Sequence, residues 1–254
     1  MIDVGISDLF EDGIGFGAKT LRTLRDAIGF PRRYFLAAQT KDWSGYTPSI
    51  RVYVVLLAIS SYLRYLYIGE GQLMTELYAG QFEQVINTLE TDEPRWSQVD
   101  SRALTDAVLD RLFFYTPFLS FALYTLFGIA WRAYAEPLNL AVRVRYIYAL
   151  LVPATVFMLI CTIAMVSLPQ SFAPSISLFS MFGTAIIMAV TAYFGAFPET
   201  ESAGGRFGRA FTLGFALTGV MLVAVVGSLM IAIFVSMGEA YAATAVSEAA
   251  GLIP

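Results

Sequence analysis

Residues 112–131 read LFFYTPFLSFALYTLFGIAW, an unbroken run from Leu112 to Trp131 without a charge. A hydrocarbon core about 30 Å thick takes roughly 20 such residues as a helix, because a helix satisfies its own backbone where no water is present. The stretches Tyr146–Leu168, Ile176–Phe197 and Ala210–Gly238 are also uncharged and long enough. A fifth, Ile50–Ile68, starts beside Arg51 and is interrupted by Arg64. The chain of 254 residues is 57% hydrophobic and only 14% charged. Soluble domains carry about 25% charged residues, and one of this size would have to expose large apolar patches. The expected fold class is therefore all-α: a polytopic membrane protein of five transmembrane helices, with short amphipathic helices at its inner and outer faces.

Charge orders the five spans. Lys19, Arg22, Arg25, Arg32, Arg33, Lys41 and Arg51 precede the first, which puts the N-terminus on the cytoplasmic side. The connection over 69–110 is acidic and lies outside; Arg132, Arg143 and Arg145 bring the next one inside. The turn Pro169–Ser175 is uncharged and outside, while Arg206 and Arg209 hold Pro198–Arg209 inside. Glu239 and Glu248 leave the C-terminal tail outside. One orientation satisfies every connection, and it requires the first span. Arg64 is tolerated there because its long side chain snorkels to the outer interface, beside Tyr62, Tyr65 and Tyr67.

This divides the chain into a cytoplasmic amphipathic region at 1–49, a transmembrane domain at 50–238 that includes the acidic outer cap at 69–110, and an exterior tail at 239–254. Residues 1–49 hold no apolar run of signal-peptide length, so a retained N-terminus is expected. Gly13, Gly15 and Gly17 lack the preceding strand and full pattern of a nucleotide loop. From Ala18 to Gly29 a helix is expected, with Leu21, Leu24 and Ile28 on one face and Lys19, Arg22 and Arg25 beside them. Pro31 opens a second helix, and Thr47 as N-cap with Pro48 at the first helical position leads into the first span. Both short helices suit either the inner headgroup region or a cap packed under the spans.

In the outer cap, Leu73, Leu77, Phe82 and Ile86 form an apolar helical stripe, Thr91 to Pro94 breaks it, and Ser101 caps a helix that runs into the second span. This cap is a surface for a partner, or an acidic lid that stabilises the bundle. Pro117 and Pro153 lie within spans, each beside a threonine, Thr116 or Thr155, able to serve the freed backbone. Ala185, Ala189, Ala192 and Ala196 line one face of the fourth span; Ala224, Ser228, Ala232 and Ser236 repeat in the fifth. Small faces of this kind allow close helix approach, within the chain or between copies.

Chemistry inside the bilayer is sparse. Spans two to five contain no Asp, Glu, Lys, Arg or His, and intramembrane charges are what ion-coupled transport and charge-ring channels use. The whole chain has no histidine and one cysteine, Cys161. That removes the usual general base, the commonest metal ligand and a disulfide framework, so no catalytic residue, cofactor or metal site is expected. The remaining polar cluster is at the inner rim. Arg132, Arg143, Arg145, Arg206 and Arg209, around Glu136 and Asn139, form either a basic pocket for a lipid phosphate or plain positive-inside anchoring. Pro137 is placed to start the third span, and Arg64, Arg111, Asp110 and Glu70 to pair at the outer rim.

The layout resembles the Yip-type superfamily of five-span membrane proteins. Pro31-Arg32-Arg33-Tyr34-Phe35 followed by Tyr46-Thr47-Pro48 is similar to the approach to the first span in a bacterial branch of that group. Phe113 to Pro117, and Trp131 to Tyr134, are similar to that branch's second span and its exit. The branch often carries histidines just beyond; this chain has none, and no role tied to them carries over. The resemblance implies a membrane-organising or adaptor protein in a bacterial inner membrane. The expected function is thus a non-enzymatic accessory subunit or organiser of a membrane-protein assembly. The alternative is a small transporter or lipid-handling protein that uses helix kinks at Pro117 and Pro153 and the inner arginines. Its expected partners are membrane proteins and anionic lipid, not nucleic acid.

Overall fold

The computed structural model describes residues 17–70, 83–89, 96, 99–132, 138–168, 172–197 and 202–249. The described residues form no strand. Two short helices come first, α1 (Ala18–Gly29) and α2 (Pro31–Thr40). Five longer ones follow: α3 (Ser49–Glu70), α4 (Ser101–Ala130), α5 (Leu140–Ser167), α6 (Ala173–Gly195) and α7 (Ala203–Ala249). Residues 83–89 are also helical. Four of the helices, α4 to α7, are long and apolar enough to cross a membrane, and α3 has a shorter apolar part, Ser49–Leu63. The chain is a multi-pass helical membrane protein. The Gly13 and Gly15 run, the stripe at Leu73, Leu77 and Phe82, the break at 91–94, and Glu136 and Pro137 lie outside the described residues, as do the side chains of Arg64 and Glu70.

Local chemistry sets the boundaries. Pro31 occupies the first turn of α2, and Lys41 ends it in the left-handed conformation, its N–H bonded to the Ala37 carbonyl. α4 is capped by Asp100, whose Oδ1 accepts from the Arg102 N–H at 2.9 Å; the expected cap, Ser101, is the first residue of the helix. α5 starts at Leu140, behind an Asn139 cap whose Oδ1 accepts from the Val142 N–H at 2.9 Å. Pro117 and Pro153 lie within continuous helices. Their threonine neighbours bond elsewhere than expected. Thr116 donates to the Leu112 carbonyl and Thr155 to that of Leu151, whereas the prolines free the carbonyls of Phe113 and Ala149.

The chain forms two compact units, 1–60 with 121–221 and 61–120 with 222–254. In the first, α5 is the central helix: every residue from Tyr146 to Thr155 is buried. A helix closed off all round is the inner member of a bundle. Around it gather Tyr34 and Phe35 of α2, Val52 and Tyr53 of α3, Tyr124 of α4, Met188 of α6, and Leu213 and Leu217 of α7. The alanine face of α6 is turned inward. Ala185 and Ala192 are buried, and a Cβ on Gly214 of α7 would stand 2.8 Å from both the Ala185 carbonyl oxygen and the Ala189 nitrogen. This stripe therefore brings two backbones of one chain together.

The second unit packs Ile86, Trp96, Leu104 and Val108 against Ala232, with Tyr241 beside Trp96 at 5.9 Å between ring centroids. Ala224, Ser228, Ala232 and Ser236 are all buried. Arg111 reaches Ser236 and Glu239 of α7, a different acid from the Asp110 and Glu70 expected at the outer rim. α7 stays helical through Ala249, past Gly238, where the sequence reading begins a tail.

Candidate functional site

A helix leaves its last carbonyls without partners, and its C-terminal end carries partial negative charge. In the first unit, arginines answer this at three helix ends. Arg143 donates through Nη1 to the carbonyls of Ile129, at 2.6 Å, and Trp131, at 3.2 Å, at the end of α4. Arg145 donates to Ala38 at the end of α2, at 3.3 Å. Arg32 donates to Gly195, the last residue of α6, at 3.1 Å. Ser49, at the start of α3, donates back to the Arg145 carbonyl at 3.2 Å, and the Tyr146 hydroxyl donates to Gln39 at 3.1 Å.

The five expected site residues therefore have different positions. Arg143 and Arg145 leave the same turn of α5 for the ends of two different helices. Arg206 lays its guanidinium over the Tyr193 ring, 4.0 Å from the centroid. Arg132 and Arg209 are exposed. Two further donors, Arg143 Nε and Arg206 Nε, are buried without a hydrogen-bond partner among the described residues.

A second polar cluster, which sequence reading missed, joins α1 to the segment leading into α3. Asp26 is 1% exposed. Its carboxylate accepts from Arg25 Nε at 2.8 Å and from the Tyr46 hydroxyl at 2.9 Å. Thr23 Oγ1 accepts the Thr47 N–H at 2.8 Å and donates to the Lys19 carbonyl. The Thr20 and Thr47 hydroxyls share a bond of 3.0 Å. Thr47, expected as a helix cap, thus joins two segments, and α3 starts at Ser49. Arg22 lies over the Tyr46 ring, 5.0 Å from its centroid.

Burial alone pushes the Asp26 carboxyl up. The hydrogen bonds from Arg25 and Tyr46 and the charges of Arg25 and Arg22 outweigh it, and the group stays ionised below the usual carboxylate range. Burial, and the hydrogen bond to Asp26, push the Tyr46 hydroxyl up. The sequence signal for this cluster is the spacing of Thr20, Thr23 and Asp26, a polar stripe of its own. The leucine stripe beside it is the stronger periodic signal. Chemically the region offers hydrogen bonds that dock helices and a set of exposed cations that suit phosphate. No family model, curated protein or solved structure matches this chain.

Proposed function

We propose that the chain crosses the bilayer five times, α3 included, with its N-terminus cytoplasmic, and serves without catalysis as an accessory subunit or organiser of a membrane-protein assembly. The segregation of arginines from acids along the connections supports the orientation, and the Yip-type resemblance supports an organising role in a bacterial inner membrane. One observation carries the functional reading: the long helices turn aromatic ladders outward. Phe207, Phe211 and Phe215 are exposed on α7 with ring centroids 6.0 and 4.3 Å apart; Phe179, Phe182 and Phe194 are exposed on α6, and Phe114 and Phe118 on α4. Large, stiff rings give a neighbouring helix much contact area at little entropic cost. Extraction from native membranes in mild detergent, followed by native electrophoresis and mass spectrometry, tests this. Migration within a larger assembly with stoichiometric partners is expected; a solitary monomer would sink the reading.

A second reading, lipid handling at the inner rim, draws support from the Nε atoms of Arg143 and Arg206, which have no partner among the described residues. It expects a phospholipid to co-purify and to be lost in Arg206→Gln, a position free of helix-capping duty. Unchanged lipid content in that variant removes it.

A further inference from the structure

α1 is docked the opposite way round from an amphipathic helix in water. A helix lying on a protein core buries its leucines and exposes its polar residues. Here Thr20, Thr23, Asp26 and Ala27 are buried, whereas Leu21 is 62% and Ile28 58% exposed. At about 100° per residue, α1 has three adjacent sectors. One is polar and buried on the protein. The next carries Leu21, Leu24 and Ile28. The third carries Arg22 and Arg25, both exposed.

The apolar sector continues past the turn. Phe30 and Leu36 are exposed, and Arg33 holds its guanidinium 5.0 Å from the Phe30 ring centroid. Between residues 18 and 41 the one acid is Asp26, and it is buried and paired. The outward surface of α1 and α2 is therefore apolar side chains edged by cations, with no exposed carboxylate to repel an anion.

We propose that the α1–α2 hairpin lies on an anionic lipid leaflet, with Leu21, Ile28, Phe30 and Leu36 in the headgroup–acyl boundary and Arg22, Arg25 and Arg33 against lipid phosphates. A bilayer surface is apolar beneath and anionic at its rim, in the same order as these side chains. The polar face of α1 is free to bond the protein because the leucines have a second apolar phase to enter. This inference goes beyond the proposed organising role and needs no protein partner.

The test uses the full chain with Cys161→Ala and a nitroxide on Ile28→Cys, or on Leu21→Cys as a second position on the same sector. The protein is held in nanodiscs of phosphatidylcholine with a minority of phosphatidylglycerol. Spin-label relaxation is then compared with oxygen, which concentrates in lipid, and with a neutral nickel chelate, which stays in water. Relaxation favouring oxygen several-fold at both positions is expected. Relaxation favouring the chelate would place the hairpin in water and overturn the proposal. Shielding from both would mean a protein covers it, and would overturn it equally. Omitting phosphatidylglycerol, or introducing Arg33→Gln, is expected to lower the oxygen preference at least about two-fold. An unchanged preference in both cases would overturn the assignment to anionic lipid.

Discussion

Helices α5 and α7 differ in burial in the opposite order to their hydropathy. The most apolar window of α7 exceeds that of α5 in hydropathy, yet 22% of it is buried against 61% for α5. In water the greasier helix would take the centre. In a bilayer the lipid tails are as apolar as leucine, and burial between helices must come from close contact and polar bonds. α5 has both. The Tyr148 hydroxyl lies 3.0 Å from the Phe121 carbonyl and 2.7 Å from the Thr125 hydroxyl, and its ring packs on Tyr53. α7 instead offers narrow seams of Gly, Ala and Ser between faces of Phe, Val and Leu.

The sharpest way to break this contrast is to fill a seam. Gly214→Val in α7 sets side-chain atoms against the backbone of α6 and is expected to cost about 3 kcal/mol or more. Gly219→Val, in the same helix with nothing within 4 Å of its Cβ position, is expected to leave stability within about 0.5 kcal/mol. Reversible unfolding in mixed micelles measures both, and equal costs would remove the seam argument.

Truncation compares the two helices directly. Leu150 is fully buried in α5, and Leu150→Ala is expected to cost about 2 kcal/mol, mostly as a cavity. Phe234 of α7 is 69% exposed, and Phe234→Ala is expected to change stability by less than about 0.5 kcal/mol in the same assay.

Asp26 extends the comparison to a buried group held by polar bonds alone. Its folded-state pKa is depressed, so its contribution is present above the ordinary carboxylate range and is lost as pH falls through the lower folded value. Amide exchange across α1, taken relative to its intrinsic rate at each pH, is expected to stay slow in mild acid and to rise only below that range. Asp26→Asn is expected to speed it at neutral pH by roughly ten-fold, about 1.4 kcal/mol, and to flatten the acid response. An acid response identical to that of the unmodified chain would refute the role given to this carboxylate.

The smallest contrast concerns hydroxyls. Tyr148→Phe removes a hydroxyl with two partners and is expected to cost about 1 kcal/mol. Ser228→Ala in α7 removes a buried hydroxyl that has no partner among the described residues, and is expected to be neutral or mildly stabilising. Thermal unfolding in detergent distinguishes the pair.

The sequence made some of this legible and concealed the rest for one physical reason. Charge-free length identifies α4 to α7, and Pro31 sets the start of α2, because these follow from the bilayer's thickness and the proline ring. The alanine face of α6 was visible as a close-approach surface. The docking face of α1 was not, because the leucine-stripe rule assumes that water is the only alternative to the protein interior. The destinations of Arg143, Arg145 and Arg32 were hidden as well. Each carbonyl they reach lies at the end of another helix, and nothing local to an arginine names it. The basic cluster was legible; its use in capping was not.

The bond from Arg32 to Gly195 spans 163 residues. At a synthesis rate of about 5–20 residues per second, Arg32 waits roughly 8 to 33 s for its acceptor to be made. Ala38 likewise waits for Arg145. α2 is thus held by groups made long after it, and throughout that interval its arginine lacks its helix-end partner. Synthesis halted before residue 195 would leave α2 without its hold on α6, so that truncated chains are marked at the N-terminus by what is missing near the C-terminus.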